Sequence, residues 1–286
     1  MVGWLVVNSF MNTEKFKKLY AMLSLSFKNH QVELLIKKAE EISLEIGEVI
    51  KDKPDFVIFW DKDIYLAERL EAQGIRLFNK SNAIALCDNK ILMYQALKNK
   101  GIRIPRTFVA PKTFEGLDYS DTSFLDEIAA QIGYPMVIKE AYGSFGEQVF
   151  LANDKQEALK IINNIGYKDF LMQEYIVSSK GRDVRINVVN NKVIVSMLRE
   201  NKNDFRSNIS SGGSGTLYEP NQTFQDLAVS ASKALGLDFA GVDVMFDKEN
   251  QPIICEVNSN PQFASTLEAT GVNLADYIAE HIIKSL

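Results

Sequence analysis

The chain has 286 residues, which is enough for one to three packed units with sizeable hydrophobic cores. Hydrophobic residues make up 46% of it and charged residues 24%, proportions that are typical of a soluble globular protein. The formal net charge of -5 at pH 7 argues against a nucleic-acid-binding surface, because such surfaces are rich in positive charge. Any polyanion that binds must therefore meet positive charge collected in a cleft.

Cysteines, histidines and long apolar runs are scarce. Cys87 and Cys255 both stand among apolar residues, so no disulfide framework is implied and a reducing cytoplasm is predicted. His30 and His281 lie near no other metal-type ligand in the sequence, which disfavours histidine catalysis and zinc chemistry. The start of the chain, residues 1–7, lacks a basic flank and is predicted as a strand and not a signal peptide. No segment approaches membrane-spanning length, so we expect no membrane association.

Strands and helices alternate in the first eighty residues. Strands are predicted at 4–7, 32–36, 56–60 and 75–78, and helices at 14–27 and 64–73. Such alternation indicates a small α/β domain with a parallel sheet. We therefore assign residues 1–87 to an N-terminal α/β domain.

A further helix is predicted at 89–100, with Asp88 as its cap and Gly101 after its end. Lys90 falls in the first turn of this helix, where the helix dipole disfavours a cation. A local rule that is broken without evident gain suggests a functional role. A solvated lysine explains the same pattern, so the position alone leaves both interpretations open.

The next unit carries a glycine-containing loop between two predicted strands. One strand, at 135–139, ends in Lys139, and the loop reads Gly143-Ser144-Phe145-Gly146. The loop is either a plain hairpin turn or a flexible flap whose backbone amides meet phosphate oxygens. Its glycine spacing matches neither a Walker loop nor a dinucleotide fingerprint.

The last unit begins with a strand at 183–189 that returns after an Asn-Asn turn. Asp183, Arg185 and Asn187 share one face of this strand. Burying three such side chains without partners would be costly, so they are either solvated or line a polar cleft. A Ser-, Gly- and Asn-rich loop at 205–215 follows, which suits either anion binding or a flexible linker.

The most informative stretch, 241–264, reads as two short strands joined by a polar turn. Asp243 falls on the polar face of the first strand, and Glu256 and Asn258 fall on that of the second, with Cys255 on the apolar face. A regular register that pairs position 246 with 253 puts Asp243 opposite Glu256, with Cβ atoms about 5 Å apart. Two carboxylates this close repel unless a cation lies between them, and these oxygen ligands suit Mg²⁺ or Mn²⁺. An inert, solvated polar face is the alternative.

Taken in order, these motifs resemble the ATP-grasp ligases, and within them the RimK-like group, which joins glutamate or other amino acids to an acceptor. Each motif is weak alone, but the joint order is specific and covers nearly the whole chain. The motifs are Asp88-Asn89-Lys90, Pro135-Met136-Val137-Ile138-Lys139, the Gly143–Gly146 flap, Gln173-Glu174-Tyr175-Ile176, Asp183-Val184-Arg185, Asp204-Phe205-Arg206-Ser207-Asn208 before Gly212-Gly213, Gly241-Val242-Asp243, and Glu256-Val257-Asn258.

The resemblance implies a mixed α/β fold with the three-unit ATP-grasp architecture. An N-terminal parallel α/β domain at 1–87 would precede a linker helix and central subdomain at 88–175. A C-terminal subdomain at 176–286 would carry the metal site. ATP would be gripped between the central and C-terminal units, which are both of the α+β type.

The resemblance also implies residue roles. Asp243, Glu256 and Asn258 would hold two Mg²⁺ ions, or Mn²⁺, with Glu256 bridging them. Arg185 and Arg206 would be catalytic and face the transferred phosphoryl group. The implied nucleotide-binding residues are Lys90 and Lys139 at the phosphates, Glu174 and Tyr175 at the adenine edge, Asp183 near the ribose, and Gly143, Ser144, Gly146, Gln173, Ile176, Arg206, Ser207 and Asn208 elsewhere around the nucleotide.

The implied reaction is the ATP-dependent condensation of a carboxylate with an amine. Hydroxide is a poor leaving group, and phosphorylation of the carboxylate replaces it with phosphate. Phosphoryl transfer needs cations and placement more than protein nucleophiles, and we see no nucleophile constellation in the chain. The partners are then ATP, a small-molecule or peptide carboxylate, and an amino acid or other amine; homo-oligomerisation is left open.

Two other classes of function remain open. A regulatory or degenerate ATP-binding module would keep the cleft without ligation, and a kinase or carboxylase would share the grasp but bring extra domains. Glu147 and Gln148 depart from the small or aliphatic residues that many relatives carry after the flap. The N-terminal domain has no motif that matches the family, so the resemblance does not name the substrates.

Overall fold

The computed structural model describes residues 1–11, 13–42, 45–144, 146–209 and 212–286. Across these ranges the strands form three sheets. A parallel sheet lies in the N-terminal part, and two antiparallel sheets follow it along the chain. The predicted mixed α/β architecture is confirmed.

The first sheet has four parallel strands in the order β2-β1-β3-β4. Its strands are β1 (Val2–Val7), β2 (Glu33–Lys38), β3 (Phe56–Trp60) and β4 (Leu77–Phe78), and its helices are α1 (Glu14–Asn29), α2 (Ile64–Ala72) and α3 (Ser81–Asp88). Every residue of β3 is buried, as expected for a parallel strand covered on both faces. Helices α2 and α3 pack on one face, and α1 packs on the other.

The second sheet is antiparallel, with the order β5-β8-β6-β7. Its strands are β5 (Thr107–Val109), β6 (Met136–Glu140), β7 (Val149–Ala152) and β8 (Phe170–Glu174). The helices α5 (Ser123–Ile132) and α6 (Lys155–Ile165) cover one face, and their apolar side chains share one core with the strands. The opposite face of this second sheet is turned toward the third sheet.

The third sheet is antiparallel, with the order β11-β10-β9-β12-β13. Its strands are β9 (Arg182–Val189), β10 (Lys192–Glu200), β11 (Ser214–Leu217), β12 (Phe239–Phe246) and β13 (Pro252–Asn258). The helices α4 (Lys90–Asn99) and α7 (Gln222–Ala234) pack on one face. After the short helix α8 (Ala264–Thr270), α9 (Leu274–Ser285) joins the core of the first sheet beside α1. The last helix of the chain therefore packs against the first unit.

The start of α4 differs from the sequence prediction. Asp88 ends α3, a helix that was not predicted, and its carboxylate pairs with Lys62. The cap of α4 is Asn89, whose side-chain oxygen accepts hydrogen bonds from the backbone N–H groups of Ile91 and Leu92 at 2.9 and 3.1 Å. The prediction that Asp88 caps this helix is therefore wrong by one residue, because the preceding helix takes Asp88 as its last residue.

Asn79 ties the first sheet to the third. Its side-chain N–H groups donate to the carbonyl oxygens of Phe239 and Ser259 at 2.9 and 2.8 Å, and its side-chain oxygen accepts from the backbone N–H of Asp238 at 2.7 Å. The side chain is fully buried. It fixes the edge of β12 and the segment after β13 against the first sheet.

Replacing Asn79 with Ala should lower the free energy of unfolding by about 2–4 kcal/mol, because several buried backbone groups lose their partner. Thermal and urea unfolding of the whole chain measure the effect. Asn82→Ala is the matched control, since Asn82 is exposed on α3. An Asn79→Ala variant as stable as the control would contradict the assigned role.

No helix in the described ranges is long and apolar enough to cross a membrane.

Candidate active site

A deep cleft of about 360 Å³ lies where the three sheets meet. Side chains from the ends of β1 and β3, from the loop after β6, and from β9, β12 and β13 line it. The cleft contains every residue that the sequence predicted for nucleotide, metal or catalysis: Lys90, Lys139, Gly143, Ser144, Gly146, Gln173, Glu174, Tyr175, Ile176, Asp183, Arg185, Arg206, Ser207, Asn208, Asp243, Glu256 and Asn258. The structure thus brings these residues together, while their individual roles stay predictions.

Lys90 links the glycine loop to the hairpin of β12 and β13. It is the first residue of α4 and is only 5% exposed. Its ammonium group donates to the carbonyl oxygen of Gly143 at 3.0 Å and lies 3.7 Å from the Glu256 carboxylate. A buried cation at a helix start contradicts the solvated-lysine alternative and fits a site that receives negative charge.

Lys139 is the penultimate residue of β6, on the same side of the cleft. Its ammonium group donates to the hydroxyl of Tyr94 at 3.0 Å, and that hydroxyl donates to the carbonyl oxygen of Cys255. Burial by itself lowers the pKa of Lys139, but its polar neighbours and the Glu256 carboxylate outweigh burial and keep that pKa above its ordinary value. Lys139 therefore stays charged inside the cleft.

The end of β8 forms another wall. The strand stops at Glu174, so Tyr175 and Ile176 lie just beyond its end. Glu174 is held by the backbone N–H of Arg106, which donates to its carboxylate at 2.8 Å. The Gln173 side chain is buried and donates to Thr107 at 2.7 Å, a bond within the sheet. The side-chain amide of Gln173 thus helps to hold β8 against β5.

The glycine loop is anchored from three sides. Lys62 donates to the Ser144 hydroxyl at 3.1 Å, Lys90 holds the Gly143 carbonyl, and Arg206 donates to the Gly146 carbonyl. Gly146 has φ +77°, and a Cβ there would lie 3.3 Å from the Arg206 side chain. The carbonyl oxygens of Gly143 and Gly146 and the Ser144 hydroxyl therefore tie the described part of the loop to the cleft. Phe145 lies outside the described residues.

Four buried charges form an ion-pair network on the floor of the cleft. Arg185 makes a two-pronged pair with Asp243, and Arg199 makes one with Asp183. A guanidinium nitrogen of Arg199 also lies 3.0 Å from an Asp243 oxygen. Asp183 and Arg185 thus line a polar cleft and are not solvated on an open face, which settles the alternative left by the sequence. Asn187, on the same strand, is fully buried and is not a cleft-lining residue.

Arg199 was not predicted. A regular β9–β10 hairpin that starts by pairing Val189 with Lys192 would put Leu198 opposite Asp183. A β-bulge at Ile194 shifts the register by one, so that Arg199 faces Asp183 instead. The single-residue shift carries the arginine to the cleft face, and nothing in the local sequence signals it.

The β12–β13 hairpin shows a similar irregularity. Asp243 pairs with Glu256 as predicted, and Gly241 pairs with Asn258. Near the turn, however, Phe246 pairs with Pro252, so the predicted pairing of positions 246 and 253 is wrong. A bulge at Cys255 restores the predicted pairing beyond it, and Cys255 lines the cleft instead of the apolar core. Burial raises the pKa of its thiol to about 12, so the thiol stays protonated.

The oxygen donors on this hairpin suit a hard divalent cation. The Asp243 and Glu256 carboxylates and the Asn258 amide stand on directly paired strands, and all three line the cleft. Burial would raise the pKa of Asp243, but Arg185 and Arg199 outweigh it and hold that pKa below its usual range. Within the described residues, no cluster of three or more His, Cys, Asp or Glu side chains forms a metal site. The donor set that fits Mg²⁺ is therefore two carboxylates with one amide.

The N-terminal unit and the segment that follows β13 contribute cleft residues that sequence reasoning missed. They come from the carboxyl ends of β1 and β3, from α1, and from the segment after β13: Asn8, Lys15, Trp60, Asp61, Lys62, Ser259, Asn260, Gln262 and Ser265. The carboxyl edge of a parallel sheet is where ligands bind in open α/β folds. That rule, applied to the predicted sheet, is the signal that points to this edge.

Comparisons with known proteins agree with this geometry. A family model described as the RimK-like ATP-grasp domain matches residues 87–282. Beta-citrylglutamate synthase B of Danio rerio is 33% identical over 86% of this chain, which spans 62% of that protein. A probable alpha-L-glutamate ligase of Vibrio vulnificus is 35% identical over 77% of this chain and 71% of its own length. A RimK domain ATP-grasp protein of Sphaerobacter thermophilus shares the fold, with TM-score 0.76 at 18% identity over 98% of this chain and 99% of that one.

Fold and cleft together define the class of ATP-grasp ligases, which use ATP and magnesium. The chain belongs to the RimK-like ATP-grasp family.

Proposed function

We propose that the chain is an ATP- and Mg²⁺-dependent ligase that joins a carboxylate to the amine of an amino acid through an acyl phosphate. The observation that carries the proposal is the gathering of Lys90, Lys139, Arg185 and Arg206 in one cleft with Asp243 and Glu256. Cations converge there on a site with hard oxygen ligands, which is what phosphoryl transfer from ATP requires. Glutamate is the first amine to test, because both relatives are named for it.

Each cation has a position that suits a step of phosphoryl transfer. Lys139 and Lys90 are buried, charged groups that would hold the phosphates of ATP. Arg206 already contacts the glycine loop and would face the transferred group from that side. Asp243, Glu256 and Asn258 would hold Mg²⁺, which when bound neutralises phosphate charge and polarises the transferred group. We propose that these three residues would together hold two ions.

The second half-reaction needs little from protein side chains. The neutral amine nitrogen bonds to the acyl carbon, the bond from that carbon to the phosphate oxygen breaks, and inorganic phosphate leaves with the proton that the amine gives up. Arg185 or Arg206 would stabilise the oxyanion that develops at the acyl carbon. The glycine loop, held by Lys62, Lys90 and Arg206, would keep water from the acyl phosphate. A cytoplasmic location stays a prediction, and the oligomeric state stays open.

The test is a screen for ADP and phosphate release with pairs of carboxylates and amines, followed by mass spectrometry of the product. Citrate, N-acetylaspartate and peptides that end in glutamate are tested against the twenty amino acids. We expect ADP to form when an acid and an amine are both present, with a product heavier by one amide condensation. Tight ATP binding with no amine-dependent ADP across this panel would favour the alternative, a regulatory ATP-binding module.

A further inference from the structure

Unpartnered polar atoms collect at the end of the cleft nearest the first sheet. They are an oxygen of the Asp61 carboxylate, the side-chain oxygen of Asn260, both polar atoms of the Gln262 amide, and the indole N–H of Trp60. All are shielded from solvent and have no hydrogen-bond partner among the described residues. All four residues line the same cavity as Asp243 and Glu256. Buried polar atoms without partners are costly, so such a cluster points to a ligand.

Asp61 is held in place by several contacts, so the position of its unpartnered oxygen is fixed by the fold. It follows the last residue of β3 and is 6% exposed. Its other carboxylate oxygen accepts from the side chain of Asn8 at 3.2 Å and from the backbone N–H of Lys62 at 2.6 Å. The side chain of Asn260 donates to the Asp61 carbonyl oxygen at 3.1 Å. This last bond joins the end of β3 to the segment after β13, so the two halves of the cluster are fixed relative to each other.

The cluster favours a cationic group with several N–H donors. Asp61, Asn260 and Gln262 each offer an oxygen acceptor, and because burial raises the pKa of the Asp61 carboxyl, its carboxylate form gains stability from a cationic partner. A primary ammonium group has three donors and one positive charge, so it can satisfy all three oxygens at once. A buried water would satisfy the geometry but not the charge. A hard divalent cation fits less well, because Asp61 supplies the only carboxylate among these three residues.

Nearby cations indicate where the rest of such a ligand lies. Lys15 and Arg185 line the same cavity. Burial, and next the positive charge of Arg185, lower the pKa of Lys15, whereas Glu268 raises it, so the two cations are close enough to interact. A carboxylate between them would relieve that repulsion. An α-amino acid carries both groups, an ammonium and a carboxylate, on the same carbon atom.

We infer that Asp61, together with Asn260 and Gln262, forms the subsite that binds the ammonium group of the amino-acid substrate. The inference rests on the proposed ligase function and adds to it the part of the cleft where the amine enters. Asp61 is a positioning and specificity residue here. It makes the site select amino acids over the corresponding acids that lack the amine.

The test measures amino-acid binding directly, by calorimetry on the whole chain with Mg²⁺ and a non-hydrolysable ATP analogue. Each of the twenty L-amino acids is titrated, and the one that binds is compared with its deamino counterpart, such as glutarate for glutamate. We expect the wild-type protein to prefer the amino acid by about tenfold or more. Asp61→Asn should weaken amino-acid binding by about tenfold while the deamino acid binds as before. Gln262→Met should weaken amino-acid binding severalfold.

Asp63→Asn is the matched control, because Asp63 caps α2 outside the cleft and Asn caps helices equally well. The affinity for the ATP analogue should be equal in all variants. Equal loss of both ligands in Asp61→Asn, or no loss of either, would overturn the inference, as would a wild-type protein that binds none of the amino acids. Amine-dependent ADP formation by the wild-type protein would in those cases still support the ligase, so the two proposals fail separately.

Discussion

Replacing Glu256 with Gln should reduce amine-dependent ADP formation by a factor of at least about 10²–10³ while the protein stays folded. Glu256 stands directly opposite Asp243 on the hairpin and 3.7 Å from the Lys90 ammonium. The amide keeps the size of the side chain but removes the negative charge that would hold Mg²⁺. It also removes the carboxylate that faces Lys90. Steady-state ADP release over a range of Mg²⁺ concentrations measures the effect.

The matched control for this variant is Glu249→Gln. Glu249 is exposed in the turn of the same hairpin, so the substitution changes charge without reaching the cleft. We expect the control to keep wild-type turnover and the same thermal midpoint. Full activity in Glu256→Gln would refute the metal assignment for this carboxylate. A partial loss that high Mg²⁺ restores would support it, because weakened metal binding is overcome by mass action.

Replacing Arg199 with Met should destabilise the fold by about 3–5 kcal/mol, the largest stability effect that we expect in this chain. The guanidinium group of Arg199 is buried and pairs with both Asp183 and Asp243. Methionine has a similar length and no charge, so Asp183 would remain buried without its two-pronged partner. Leaving one member of a buried pair unpaired costs more than removing both. Chemical unfolding followed by circular dichroism measures the difference.

The double variant Asp183→Asn with Arg199→Met tests that reason. Neutralising Asp183 removes the unpaired charge, so the double variant should be more stable than Arg199→Met alone. Lys192→Met is the control on the same strand, where the side chain is exposed and the expected change is within about 0.5 kcal/mol. A double variant as unstable as the sum of its two single variants would show that the buried pair contributes no coupling.

Several parts of the cleft follow from short-range sequence patterns. The parallel sheet was predicted from alternating strands and helices, and the structure confirms it. Lys90, Lys139, Arg206 and Glu256 each belong to a local motif, and each lines the cleft. Such motifs are readable because backbone geometry over a few residues sets which way their side chains point.

Strand register and contacts between residues far apart in the chain were harder to predict from the sequence. The bulge at Ile194 brings Arg199 opposite Asp183, and the bulge at Cys255 corrects a pairing that begins one residue off at the turn. A one-residue shift moves a side chain to the other face of its strand, so a hairpin drawn without bulges misplaces it. The pairing of Asp243 with Glu256 was nevertheless predicted correctly. The turn is one residue shorter than predicted, and the bulge at Cys255 offsets that difference in register.

The sequence by itself determined the fold class, the order of the motifs and the residue types of the nucleotide and metal side of the cleft. It could do so because those features depend on periodicity and on residues close together in the chain. The tertiary structure alone decided that Arg199 pairs with both Asp183 and Asp243, and that Asp61 meets Asn260 from 199 residues away. The first contact depends on a β-bulge and the second on the packing of separate sheets. Neither can be predicted from a local sequence pattern, because both are selected by the free energy of the whole fold.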